Sequence, residues 1–174
     1  MRKHLLVSDD LHPEPDIARA LWTLQEARQR TLDALTGDLD PDADAGPGVN
    51  TVGTLLYHIA AIELDWLYAE VREEDYPEAA AVWFPQDVRT TAGQLTPVQG
   101  EALDRALERL AWVRTQLMDT FRTMTLHDYR RVRTLPPYDV TPEFVLAHLA
   151  LHEAQHQGQI LLLRRLNGQP APRR

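Results

Sequence analysis

The stretch from Thr141 to Gly168, TPEFVLAHLALHEAQHQGQILLLRRLNG, decides the fold. Thr141 supplies a capping hydroxyl and Pro142 sits at the first helical position, where a missing N–H is no loss. Asn167 and Gly168 mark the end. Between them apolar residues recur at steps of three and four, as one face of an amphipathic helix requires. With His148 at the centre of that face, Phe144, Val145, His152, His156, Leu163 and Leu166 all fall within about 80° of it. Three histidines therefore occupy the middle of a stripe that should face a core. Burying an unpaired polar ring costs roughly 1–3 kcal/mol. One buried histidine is ordinarily satisfied by a carbonyl or carboxylate, but three in a single face point to a divalent metal ion.

Three earlier segments show the same periodicity. Ile17, Leu21, Leu24, Arg28, Thr31 and Leu35 predict a first helix, capped by Asp16 and ended by Gly37. The Asp-, Pro- and Gly-rich run from Gly37 to Val49 is a solvated turn region. A second helix runs from about Thr51 to Val71, with Val52, Leu55, Ile59, Ile62 and Trp66 on its apolar side and Asn50 or Thr51 as cap. Thr96-Pro97-Val98-Gln99 reads as a capping box that opens a third helix, followed by Leu103, Leu107, Leu110, Val113, Leu117, Phe121 and Met124. Four helices of roughly 20–28 residues, each with one apolar stripe, bury those stripes most simply as an all-α four-helix bundle. Long connections follow helix two, from Glu73 to Leu95, and helix three, from Thr125 to Val140; the latter holds a short strand pair around Tyr129 to Leu135. The expected organisation is one domain over residues 1–174, with 1–12 and 167–174 as loosely ordered ends. Trp83 and Phe84, in the first connection, either cover the mouth of a metal site or plug the core beneath a loop.

Composition narrows the chemistry. The 174 residues are 44% hydrophobic and 25% charged, and the formal net charge is −8. That balance disfavours a general grip on nucleic-acid phosphates or anionic lipid. The absence of cysteine excludes disulfides, thiolate metal ligands and a protein thiol nucleophile, so thiol chemistry would have to use an outside thiol. No apolar run suits a signal peptide or a membrane span, and a cytoplasmic protein is expected.

Residues four apart on a helix can converge on one ion, whereas His148 and His156, two turns and about 12 Å apart, cannot share it. One of the three is a spectator. Another ligand must come from a facing helix, and His58, at the border of the second helix's apolar stripe, is placed to supply it. His4, His12 and His127 are expected in solvent. Three imidazoles leave coordination positions open, as in catalytic sites. His152-Glu153-Ala154-Gln155-His156 also spells the H-E-x-x-H of zinc peptidases. No Asp, Glu or His follows His156, however, and Leu162 stands where the extended peptidase motif needs its third histidine. Glu153-x-x-His156 is only half of a di-iron bundle site, and no second E-x-x-H exists.

Asn50-Thr51-Val52-Gly53-Thr54-Leu55-Leu56-Tyr57-His58, with Glu63 and Trp66 behind it, resembles the helix-two signature of the DinB/YfiT-like superfamily of bacterial metal-binding four-helix bundles. His152-Glu153-Ala154-Gln155-His156-Gln157-Gly158-Gln159-Ile160 is similar to the closing motif of that family, in which two histidines four apart precede a Gly-Gln pair. Gln157 stands where the family often has arginine, and Gln155 where histidine is frequent. The resemblance implies that His58, His152 and His156 are the metal ligands, with His148 as a supporting or core residue. It also implies one divalent ion, zinc or nickel; a small-molecule substrate with a low-molecular-weight thiol as cosubstrate; and a homodimer. The activity implied is thiol transfer to small electrophiles, with hydrolysis by metal-activated water or a non-catalytic, stress-related role as alternatives. Around the ligands, Glu153 or Asp65 is placed to orient a histidine or accept a proton, or else is a solvated surface charge, as most carboxylates on a bundle are; Gln159, lying between the ligand histidines in projection, is placed to support them.

Overall fold

Six α-helices and one β-hairpin account for most of the described residues: α1 (Pro15–Ala34), α2 (Val52–Asp65), α3 (Ala80–Trp83), α4 (Leu103–Arg122), α5 (Leu126–Arg130), β1 (Arg133–Leu135), β2 (Tyr138–Val140) and α6 (Pro142–Leu166). These assignments come from a computed structural model, in which residues 6–169 are described. The protein is mostly helical, with α1 packed along α6, and α2 packed against both α4 and α6. α2 is buried on nearly every side, from Val52 through Ala60 and again at Glu63 and Leu64. Among the described residues no helix is long and apolar enough to cross a membrane.

Helix starts follow the local chemistry in two cases. Thr51 Oγ1 accepts the Thr54 N–H at 3.2 Å, and Thr141 Oγ1 accepts the Phe144 N–H at 3.2 Å, each satisfying an orphan donor of the first turn. Elsewhere tertiary contacts override it. Glu14, rather than Asp16, is the residue at which α1 begins, with Pro15 in the first turn; Asp16 pairs instead with Arg19 and Arg130. The capping box at Thr96 does not form, and α4 starts at Leu103. The Thr96 N–H donates to the Val88 carbonyl and the Val98 N–H donates to Thr54 Oγ1 at 3.1 Å. Those bonds hold the segment extended across the start of α2.

Helix two changes its winding. From Trp66 to Arg72 it continues as a π-helix, ended by Glu73 in the left-handed region at φ 56°. Seven residues of π-helix are uncommon, and such segments cluster at functional sites. The strand pair lies four residues later than Tyr129, which belongs to α5; Arg133, Thr134 and Leu135 pair antiparallel with Val140, Asp139 and Tyr138. His12, expected in solvent, is buried and its Nδ1 accepts the Glu14 N–H at 2.9 Å. His127 is exposed. His4 lies outside the described residues, as do parts of the two ends expected to be loose.

The buried face of α6 is rotated from the one centred on His148. It comprises Val145, Leu146, Leu149, Ala150, Glu153, His156, Ile160, Leu163 and Arg164, while Phe144 and Leu166 are 55% and 60% exposed. The centre is displaced by roughly a third of a turn. His156 is therefore inside the buried face, His152 and His148 are at its margin, and Glu153 points into the core.

Candidate metal centre

His58 comes from the middle of α2, His152 and His156 from successive turns of α6. His152 Nε2 lies 3.1 Å from His58 Nε2 and 3.1 Å from His156 Nε2, and one nitrogen from each ring lies within 4.8 Å of the others. Two donors bound to one ion at ~2.0–2.1 Å stand about 3–3.4 Å apart. The spacing fits. His58 and His156 are buried while His152 is half-buried, which leaves one side of the cluster open. No Asp or Glu belongs to this grouping.

All three rings favour the neutral, ligating form. Burial pushes His58 down to about 4, helped by the charges of His156 and Arg89. Burial and the neighbouring histidines push His152 down to about 3. His156 is also lowered by burial, against a hydrogen bond to Gln159 that favours its proton. That bond joins His156 Nδ1 to Gln159 Oε1 at 2.7 Å. With the amide oxygen accepting, Nδ1 carries the hydrogen and the Nε2 lone pair faces the other two rings. His58 has no such support: its Nδ1 is buried without a partner.

The remaining expected residues separate. His148 stays out of the ligand grouping and lies flat on Trp66, with centroids 4.2 Å apart, and parallel to His152 at 6.0 Å; burial lowers its pKa. Asp65 accepts the Tyr76 hydroxyl at 2.5 Å. Trp83 stacks on Trp112 of α4, and Phe84 meets Tyr57 of α2 edge-on at 5.6 Å and Trp112 at 6.5 Å, so it packs between α2 and α4. Glu153, expected as a proton acceptor or else a solvated charge, is buried at 1% exposure and engaged elsewhere. Its Oε1 accepts from Arg28 Nε at 2.5 Å and its Oε2 from Arg114 Nη2 at 3.0 Å.

Those contacts belong to a buried quartet that periodicity alone does not reveal. Arg28 of α1 also donates to Glu63 Oε2 at 2.7 Å, and Arg114 of α4 donates to Glu63 Oε1 at 2.6 Å. The guanidiniums further donate to the carbonyls of Leu110 and Leu24. Four long helices thus each contribute one charge, two positive and two negative. Burial pushes the Glu63 carboxyl up, but Arg114 and Arg28 outweigh it and hold it below the ordinary value. One signal was present in the sequence: Arg28 recurs in step with Leu21 and Leu24 on the apolar stripe of α1.

Comparison with curated proteins gives no match. Among solved structures, a conserved protein of Enterococcus faecalis known from its crystal structure is similar in fold, with a TM-score of 0.65 and 17% sequence identity over 84% of this chain and 94% of that one. A family model described as the DinB superfamily matches residues 23–160. That span contains most of the chain, all three clustered histidines and the whole quartet, and the chain belongs to the DinB superfamily.

Proposed function

We propose that the chain is a divalent-metal-dependent enzyme, built as a four-helix bundle of α1, α2, α4 and α6, that activates a low-molecular-weight thiol for transfer to a small electrophile. The observation that carries this reading is the convergence of three neutral imidazoles from two helices, open on one side. A zinc or nickel ion there would lower the pKa of a bound thiol or water and so supply a nucleophile at neutral pH. The protein's part is to hold that group. Gln159 fixes the His156 tautomer, and burial keeps His58 and His152 unprotonated.

The choice of thiol over water follows from the carboxylates. Both oxygens of Glu153 are held by guanidiniums, and no other carboxylate joins the cluster. Water activation gains most from a nearby base, whereas a thiol, with an ordinary pKa near ~8.5, gives up its proton far more readily. The chain has no cysteine, so the thiol is a cosubstrate. A homodimer, implied by the family, belongs to the same proposal; the outward side of α6 exposes Leu151, Leu162 and Leu166, and light scattering checks it.

The test is turnover of a bimane electrophile by protein loaded with zinc or nickel, with cysteine or glutathione as thiol. Consumption should need both metal and thiol and be lost in His58→Ala. Ester cleavage without any thiol would favour the hydrolase. Metal-dependent stability with no substrate consumed would leave only a binding protein.

A further inference from the structure

The connection between α3 and α4 holds a short finger, residues 88–96, strapped across α2. Within it the Thr96 N–H donates to the Val88 carbonyl at 3.1 Å and the Thr90 N–H to the Gln94 carbonyl at 2.8 Å, and Arg89 is bridged antiparallel to Leu95. We propose that Arg89, at the root of this finger, binds an anionic group of the thiol cosubstrate, so that the thiol taken is one carrying a carboxylate or sulfonate. This inference rests on the metal and thiol reading above and names the class of thiol for it.

Two tethers set where the finger lies. Before it, the Tyr57 hydroxyl of α2 donates to the Gln86 carbonyl at 2.5 Å and accepts the Gln86 N–H at 3.1 Å; after it, Thr54 Oγ1 accepts the Val98 N–H at 3.1 Å. His58 follows Tyr57 directly and stands one helical turn beyond Thr54, so the finger is fixed at the level of the α2 histidine. Side chains paired across an antiparallel bridge project from the same face. Leu95 packs against the core. Arg89 therefore projects from the face turned toward the bundle, where its charge acts on His58.

The guanidinium is held but not neutralised. Its Nη1 donates to the Gly93 carbonyl at 3.0 Å, which fixes the head against its own turn. Arg89 is exposed and, among the described residues, makes no ion pair, whereas Arg19, Arg30, Arg109 and Arg131 all have carboxylate partners. A fixed positive charge beside a site for a divalent cation works against the ion. An anion seated there offsets that cost, and the guanidinium fork matches a carboxylate or sulfonate. The chain as a whole carries −8, a field that repels anions, so a preference for an anionic thiol has to arise locally.

The experiment uses cobalt-loaded protein, in which thiolate-to-metal absorption reports thiol binding directly, and two thiols of similar size. 2-Mercaptoethanol is neutral away from its sulfur; 2-mercaptoethanesulfonate adds an anion that is itself a poor metal ligand. At low salt the native protein should bind the sulfonate about fivefold tighter, the upper end for an exposed ion pair, and high salt should shrink the preference. Arg89→Gln should erase it while leaving 2-mercaptoethanol binding unchanged, and Arg89→Lys should keep part of it. Equal affinity for the two thiols, or a preference that survives Arg89→Gln, overturns the proposal. So does an equal loss for both thiols in Arg89→Gln, because the guanidinium would then act on the metal-bound sulfur and not on a separate anion. If 2-mercaptoethanol itself fails to bind, the thiol reading has fallen and this inference goes with it; if it binds and the sulfonate adds nothing, only the role of Arg89 is lost.

Discussion

α6 contributes neighbouring residues to two polar clusters of opposite character. His152 and His156 reach His58 on α2, while Glu153 reaches Glu63 on the same helix through Arg28 and Arg114. In the quartet, positive and negative charges balance and the guanidiniums find further carbonyl acceptors. In the triad, three neutral rings turn nitrogens toward one another and nothing in the grouping carries a compensating charge. A buried polar cluster that brings its own partners serves the architecture. One that leaves lone pairs converging on a shared point could hold a cation that the chain does not supply.

The sharpest way to break this contrast is to remove one member of the quartet. Arg114→Met strands Glu63 and Glu153 with half their partners, and leaving a buried charge uncompensated costs about 3–5 kcal/mol. Urea denaturation should show a loss of that size. Replacing all four residues by apolar ones of similar volume should recover most of it, because no charge is then left buried. A loss below about 1 kcal/mol in Arg114→Met would mean that water reaches the cluster and the two regions do not differ as described.

The triad should behave in the opposite sense. Without metal, His58→Ala, His152→Ala and His156→Ala should leave stability nearly unchanged, since each removes a crowded polar ring. With metal at 100 to 1,000 times Kd the native protein should gain about 2.7–4.1 kcal/mol, and each variant should lose that gain. His148→Ala should keep its ion by elemental analysis. Loss of metal in His148→Ala together with retention in His152→Ala would show that the ligand register on α6 is wrong.

Acid separates the regions in a third way. The folded-state pKa values of His58 and His152 lie below the ordinary 6.5, so the unfolded chain takes up protons first. Their neutral forms favour folding fully above that value, and this is lost as pH falls from about 6.5 toward 4 for His58 and toward 3 for His152. Glu63 is likewise held below its ordinary 4.5, and its contribution is lost only as pH drops beneath that. Metal-free protein should therefore weaken in two stages, with a double His58→Ala, His152→Ala variant flattening the upper stage alone. A single stage, unchanged by the histidines, would assign the whole acid response to carboxylates.

How much of this was legible depends on where each constraint resides. The clustered histidines were legible as candidates, because polar rings at helical spacing are conspicuous on the apolar face of α6, while the resemblance rather than the spacing set His148 apart; Thr51, Thr141 and Pro142 were legible because a cap is decided within one turn. Centring α6 on its histidines rather than on Val145, Leu149, Ile160 and Leu163 turned the helix and put Glu153 outside. The aliphatic residues alone would have placed it inside. Even then its partners could not follow, since they stand on three other helices and charge pairing across a core leaves no periodic trace. Thr96 failed for a related reason: its capping signal was local, but the bonds from Thr96 and Val98 to Val88 and Thr54 were not.

The smallest effect tests whether the triad borrows any support from its own surroundings. Gln159 is exposed, yet its Oε1 takes the His156 Nδ1 hydrogen at 2.7 Å. Loss of such an outer partner generally weakens metal affinity by about 10–100-fold. Water can take the place of an exposed amide, so Gln159→Ala should fall at the lower end, near tenfold by competitive chelation, with no change in metal-free stability. Gln159→Glu should move the other way, because a carboxylate accepts the Nδ1 hydrogen more strongly and makes Nε2 a better donor. If both variants bind metal as the native protein does, His156 holds its tautomer unaided, and burial between α2 and α6 is enough to orient all three rings.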